Sequence, residues 1–378
     1  MSEYLSPLHQ AYGVFAGSGV DAPVAAHYGD PIREQRRISL GAEHHVIADY
    51  SHLGVVTVGG SDRHRWLSSL SSQELSGLSA HHSTELLLLS PQGRIEYAPY
   101  VLEDGEKLWL ICEPQQNQPL SEYLNSMKFM LDVTVSDVSE DYAVLCSWDD
   151  PRTNTQVPEA LSKAPCWEDP WHSVCAGGVS YTEIDAQEHP ACDYQRFMSI
   201  IPREELLDIA SACELVGMWA AEALRIEAWR PRYATEVDYK SIPHELDYLR
   251  SAVHLSKGCY KGQETVARVH NLGHPPRRLV FLDLDGSEHT LPTVGAGVYF
   301  NTRKVGVITS VAQHWEAGPI ALAVIKRSVD PQAPLRIVDE LEGAGEVHYA
   351  AAQTVIVSAD AGQAVGRQER RQFLRREE

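Results

Sequence analysis

The sequence predicts an α+β protein of two or three domains that ends in a small β-barrel or sandwich. Its 378 residues suffice for two or three domains at roughly 150 residues each. Strand-like and helix-like stretches mix through the first two thirds of the chain, which is an α+β layering. From Leu279 onward short β-branched runs separated by Gly and Pro take over. Apolar residues at 43% and charged residues at 22% exclude a disordered or fibrous chain.

Taken in order, residues 1 to 40 carry mixed helix and loop signals, with Gly17, Gly19, Pro23 and Pro31 scattered through them. The β-branched run Leu53 to Val58 predicts a strand. Ser61 and Asp62 then start a helix with Trp66, Leu67 and Leu70 at helical spacing. Further strands are expected at Thr84 to Leu89, Lys107 to Cys112 and Asp132 to Val138, with a helix near Leu120 to Phe129. Five prolines from Pro151 to Pro190, among many polar residues, predict a linker or long insertion and a domain seam. Pro202 opens a helix with Glu204 and Glu205 in its first turn and Leu206, Ile209, Ala210 and Cys213 on one face. A second helix is expected from about Cys213 to Trp229, against Pro231. Strands follow at Leu279 to Leu284, Val305 to Val311, Ile320 to Ile325 and Thr354 to Val357. The tail from Arg367 to Glu378, with five Arg and three Glu, reads as a solvated or frayed helix. The resulting division is 1–150, 151–275, 276–362 and a charged tail, 363–378.

With 52 Asp and Glu against 32 Lys and Arg, the net charge is −20, which repels polyanions and argues against nonspecific nucleic-acid binding. The longest apolar runs, Leu86 to Leu89 and Ile320 to Ile325, are far too short to span a membrane. The first 30 residues hold no Lys or Arg, so neither a secretory n-region nor an Arg-rich presequence is expected, and the location reads as cytoplasmic. The seven cysteines include no close metal-ligand spacing. Six of them, Cys112, Cys146, Cys166, Cys175, Cys192 and Cys213, read as small buried hydrophobes.

Cys259 is different. It sits in Lys257-Gly258-Cys259-Tyr260-Lys261-Gly262-Gln263-Glu264, followed by Ala267-Arg268, with a glycine on either side. Gly258 and Gly262 allow conformations barred to other residues and predict a tight, exposed loop. From Ser251 to Val280, Lys257, Lys261, Arg268, Arg277 and Arg278 stand against one acid, Glu264. Neighbouring cations stabilise a thiolate, which suits a nucleophile, a redox group or a metal ligand. A glycine-rich turn with an incidental cysteine is the bland alternative.

This segment resembles the K-G-C-[YF]-x-G-Q-E-x-x-A-R signature of the YgfZ-type folate-binding proteins, relatives of the glycine-cleavage T protein (aminomethyltransferase). Further stretches resemble that family. They are Asp49-Tyr50-Ser51-His52-Leu53-Gly54, Gly60-Ser61-Asp62 with Trp66-Leu67, Ser90-Pro91-Gln92-Gly93-Arg94-Ile95, Ile201-Pro202-Arg203 and Arg225-Ile226-Glu227-Ala228. The last lacks the glycine that follows in the family's R-[LI]-E-x-G. Together they cover about residues 45 to 325.

The resemblance implies a ring of three domains, two α/β parts with ferredoxin-like elements and a C-terminal β-barrel. Tetrahydrofolate or another reduced folate would bind near the centre, with the first α/β part contributing and the second carrying the cysteine loop. It implies a role in iron-sulfur cluster assembly or repair, with client enzymes such as radical-SAM tRNA-modifying proteins as partners. Cys259 would be the reactive or cluster-contacting thiol. Glu227 would reach the pterin, and Arg225, Lys257, Gly258, Tyr260, Gly262, Gln263, Glu264 and Arg268 would complete the folate site. One cysteine cannot supply the four thiolates of a cluster, so no resident metal is expected. The T protein carries an acidic pair after the glycine of its S-P-x-G-R turn. Here Ile95, Glu96, Tyr97 and Ala98 offer one acid, which weakens the competing reading of a folate-dependent aminomethyl transferase or demethylase. A folate-sensing scaffold without chemistry is the third reading.

Of the remaining candidates, His270 and His274 read as loop residues because Gly273 and Pro275 interrupt a helix. The pairs His44/His45 and His81/His82 carry no assigned role. Trp315, Tyr299 and Phe300 read as barrel core rather than as walls for a pterin.

Overall fold

The computed structural model describes residues 4–40, 44–341 and 345–362. The charged tail foreseen at 363–378 lies outside the described residues.

Two five-stranded sheets and a closed six-stranded barrel make up the α+β architecture. The first sheet runs Thr134–Asp137, Gly54–Gly59, Leu108–Cys112, Tyr100–Glu103, Ser83–Glu85, all antiparallel. The second runs Cys166–Glu168, Phe197–Pro202, Tyr142–Ser147, Val46–Asp49, Glu214–Val216, with only the last pair parallel. The chain thus lays one strand of the second sheet, builds the whole first sheet, then returns. The sheets therefore do not part at residue 150.

Alternation along Gly54–Gly59 explains the layering. Val55 faces the second sheet in a core with Trp109, Val144 and Met198, while Val56 and Val58 face the helices Arg63–Leu70 and Asn117–Ser126 through Trp66, Leu67, Leu120 and Leu124. On the far side of the second sheet, Ile47, Leu145 and Ile201 bury Leu206 and Ile209 of the short Leu206–Ser211 helix. The barrel order is Arg277–Leu284, Gly318–Lys326, Arg303–His314, Gly297–Phe300, Leu335–Leu341, Gly345–Val355, closing on the first strand.

Four local expectations need correction. The run Thr84 to Leu89 is divided between Ser83–Glu85 and Leu88–Leu89, and the latter pairs with Ile95–Tyr97. Pro202 ends the Phe197–Pro202 strand, and a 3-10 turn at Arg203–Glu205 precedes the helix. The helix expected from Cys213 begins only at Met218, because Leu215 and Val216 pair with Ile47 and Ala48. The proline-rich 151–190 segment is a packed wall rather than a linker. Trp167 and Trp171 are fully buried, and their indole N–H groups donate to Thr84 O at 2.7 Å and Ala228 O at 3.0 Å. Prolines stand there where no N–H is needed, such as Pro170 and Pro190 at the first positions of 3-10 turns.

Candidate functional site

Two surfaces carry the candidate residues. The first is formed by the Cys259 loop and the helix Gln263–Leu272. Gly262, at φ 88°, begins that helix, and a Cβ there would lie 2.6 Å from Ser90 O and 3.1 Å from Gly93 Cα. Gly93, at φ 73°, packs in turn against Thr265. The S-P-x-G-R turn and the cysteine loop are thus joined glycine to glycine, a contact that no side chain permits. Gly258 has no such constraint, since nothing lies within 4 Å of a Cβ placed on it.

The cations counted along this segment do not gather into a patch. The Lys257 ammonium donates to Ser68 O, to Ser71 O at 2.6 Å and to Gln73 O at 3.0 Å, at the C-terminal end of the Arg63–Leu70 helix. Burial lowers its pKa to about 8, against the opposing pull of the Glu74 carboxylate. Lys261 pairs with Glu96 at 2.9 Å. Arg277 pairs with Asp238 and Glu245. Arg278 is buried and donates to Val329 O and Gln353 Oε1. Of the five, only Arg268 is exposed and without an ion-pair partner among the described residues. Tyr260 points into the core, where burial pushes its phenol up to about 12. Cys259, Gly258 and Glu264 are exposed and Gln263 is half-buried. His270 lies on the helix, not in a loop, and its Nδ1 meets Tyr181 Oη at 2.9 Å, while His274 Nδ1 meets Ala361 O.

The second surface is a cleft of about 410 Å³ where the helices Pro31–Leu40 and Met218–Glu227, the Pro190–Gln195 segment and the barrel turn after His314 meet. Glu227 lies in it, 49% exposed, with Trp148, Tyr194 and Trp315 among the lining residues. Trp315 is therefore a cleft residue rather than barrel core. The Trp148 indole N–H is buried without a partner among the described residues, and the Arg36 guanidinium stands 5.7 Å from the Trp315 ring centre. None of residues 257–268 lines this cleft.

Arg225 does not reach the cleft. It is buried, with Glu222, Glu236 at 3.0 Å and Ser310 Oγ at 2.7 Å as partners. It opens a sequence of three arginines that joins the layers. Arg230 meets Glu85 and Asp169, and Arg232 meets Asp21 and Glu113. Burial raises the pKa of Asp21, but Arg232 and His52 outweigh it and hold the carboxyl well below the usual range. Between Arg225 and Arg230, Trp229 takes the place of the family's glycine at φ 57°. The left-handed conformation explains why glycine suits that place. Here the buried indole, packed with Ala223, Ile226 and Tyr260 in one core, offsets the strain. That core also links the Glu227 helix to the cysteine loop.

Sequence reasoning missed Gln35, Arg36, Trp148, Tyr194 and His314, which are brought to Glu227 from four distant segments. No spacing signal marks them.

With this geometry in view, comparison with known proteins is informative. An iron-sulfur cluster assembly factor IBA57 homologue, mitochondrial, of Mycosarcoma maydis is 26% identical over 250 residues, covering 62% of this chain and 56% of that protein. The tRNA-modifying protein YgfZ of Aliivibrio fischeri is 27% identical over 154 residues, covering 39% of this chain and 47% of that one. The crystal structure of glycine cleavage system aminomethyltransferase T from Bartonella henselae matches with a TM-score of 0.69 over 94% of this chain and 97% of that one, at 16% identity. The chain is a relative of the YgfZ and aminomethyltransferase proteins. It shares the aminomethyltransferase fold, and it spans about half the length of the IBA57 and YgfZ relatives it matches. No family model matches it. Among the described residues no helix is long and apolar enough to cross a membrane.

Proposed function

We propose that the protein is a folate-binding accessory factor for iron-sulfur enzymes, with tetrahydrofolate or another reduced folate in the Glu227 cleft and Cys259 serving the client from the second surface. The observation that carries this reading is the half-exposed Glu227 carboxylate in an aromatic-walled cleft of about 410 Å³. A pterin presents adjacent N–H donors on one edge and a flat face, which suit a carboxylate acceptor and stacking rings. The volume lies in the range of roughly 300–1,000 Å³ typical of ligand pockets. The buried, unpartnered Trp148 N–H adds a donor, and Arg36 at the rim offers a cation for the anionic glutamate tail in place of Arg268. The residues present thus fit the group. When bound, the folate supplies one-carbon or redox chemistry, and the chain's own residues hold and orient it.

Cys259 acts at the exposed loop, with Gly258, Gln263, Glu264 and Arg268 around it. One thiol contacts a cluster only transiently or together with a partner's ligands, so the cluster is cargo. Clients are iron-sulfur enzymes such as radical-SAM tRNA-modifying proteins, in the cytoplasm. Aminomethyl transfer is disfavoured because Glu96, the single acid after Gly93, is engaged by Lys261.

Calorimetry with tetrahydrofolate tests the cleft. Binding is expected, and Glu227→Gln should weaken it at least about tenfold, since a hydrogen bond to a charged group contributes about 1.5–3 kcal/mol. Unchanged affinity removes Glu227 from the site. Cys259→Ala should keep fold and affinity yet lower client activity in cells lacking the native protein. Full support of the clients would favour the folate-sensing scaffold. Methylene-tetrahydrofolate formation from an aminomethylated lipoyl carrier would restore the transferase.

A further inference from the structure

We infer that His314 is a positioning residue for the Glu227 carboxylate and that Gln35 holds it in place, an inference that rests on Glu227 being the ligand's acceptor. His314 ends the Arg303–His314 strand and is 2% exposed. Its Nδ1 accepts from the backbone N–H groups of Glu316 at 3.3 Å and Ala317 at 3.0 Å. A ring nitrogen that accepts carries no proton, so the neutral imidazole is protonated on Nε2. That nitrogen lies 3.2 Å from Glu227 Oε2, is not aligned for a full hydrogen bond, and has no other partner among the described residues. A buried donor thus stands within 3.2 Å of one carboxylate oxygen, on the barrel side.

Gln35 explains why the ring stays there. Its side-chain amide donates to Gln313 O at 2.9 Å and accepts from Trp315 N–H at 2.9 Å. One buried side chain therefore grips the backbone immediately before and after His314. The Pro31–Leu40 helix, the barrel and the Met218–Glu227 helix meet at this point.

The consequence is chemical. With Oε2 approached from behind, Oε1 and the remaining lone pairs are left for the cleft, in an orientation set before any ligand arrives. A carboxylate arranged in this way loses less freedom on binding than a mobile surface glutamate. It favours ligands that present two adjacent N–H donors, as an aminopyrimidinone edge does.

The test combines calorimetry with tetrahydrofolate and ¹⁵N NMR of the histidine-labelled full chain. His314→Leu is expected to weaken binding about tenfold at a melting temperature near wild type, and His314→Gln, which keeps an N–H donor, to recover most of the loss. Glu227→Gln combined with His314→Leu should bind no worse than Glu227→Gln alone, because the histidine acts through the carboxylate. Gln35→Leu, which leaves the ring but frees the turn, should weaken binding in the same direction and serves if His314→Leu does not fold. Without ligand, the His314 signal should show the Nε2–H tautomer and should shift in Glu227→Gln. Wild-type affinity in His314→Leu, no recovery in His314→Gln, or a His314 signal indifferent to Glu227→Gln would overturn the inference. If wild type fails to bind tetrahydrofolate, the folate reading fails instead, and if Glu227→Gln binds as well as wild type, Glu227 is not the ligand's acceptor. The NMR result still decides whether His314 holds Glu227.

Discussion

At the Glu227 cleft polar groups stand half exposed or short of partners, whereas at the Cys259 loop both lysines are used to fix the chain. Glu227, the Trp148 N–H and Arg36 all retain free bonding capacity. Lys257, by contrast, gives its protons to backbone carbonyls, Lys261 gives its charge to Glu96, and Gly262 abuts Ser90. A concave surface with spare donors and acceptors is organised to take a small molecule. A loop anchored at Lys257 and Gly262 leaves one thiol exposed, which is what the proposed contact with a client requires. The core that holds Ala223, Ile226, Trp229 and Tyr260 makes the two surfaces parts of one body.

That comparison breaks most directly at its shared support. Arg230→Met should leave Glu85 as a buried charge without its partner and destabilise the protein by about 3–5 kcal/mol, with loss at both surfaces. Chemical denaturation followed by tryptophan fluorescence measures it, and a cost below about 1 kcal/mol would remove the arginines as a joint support.

The loop itself comes next. Gly262→Ala places a Cβ against Ser90 O at a positive φ and should cost at least about 2 kcal/mol, while Gly258→Ala should stay within about 0.5 kcal/mol. Equal effects on the melting temperature would contradict the anchoring of the loop by one glycine rather than two.

Acid should weaken both regions through one buried histidine each. Burial pushes His189, beside the cleft wall, down to about 3, and His244, beneath the Gln263–Leu272 helix, down to about 4, both from 6.5. The unfolded chain therefore binds more protons over that interval, so stability is fully present above about pH 6.5 and is lost as pH falls below it. Thermal melts from pH 7.5 to 4.5 should show that loss, and His189→Gln should flatten the dependence. An unaltered slope would mean that other groups dominate.

Thiol labelling separates the cysteines. Cys259 and Cys192 are exposed, whereas burial pushes Cys146 and Cys175 up to about 12 and Cys166 and Cys213 up to about 11. Brief alkylation read by mass spectrometry should modify Cys259 and Cys192 first. Cys192 thus departs from the buried role expected of an unpaired cysteine. The smallest effect is expected for Lys261→Met, because its pair with Glu96 is about one third exposed on each side and contributes at most about 1 kcal/mol.

The sequence by itself determined the α+β class, an all-β end that is a barrel or a sandwich, the strand Gly54–Gly59 with its following helix, and the cysteine loop. These rest on signals of a few adjacent residues: β-branched runs, helical spacing, and glycines where the backbone must turn. Tertiary structure alone decided that Glu214–Val216 is a strand, because its partner Val46–Asp49 lies far away in the chain. It alone decided that the proline-rich segment packs as a wall around Trp167 and Trp171, and that the cations near Cys259 disperse to separate partners. The same holds for the Glu227 cleft, whose Gln35, Trp148, Tyr194 and His314 have no common spacing. Charge and burial act through distance in space, which local sequence patterns do not encode.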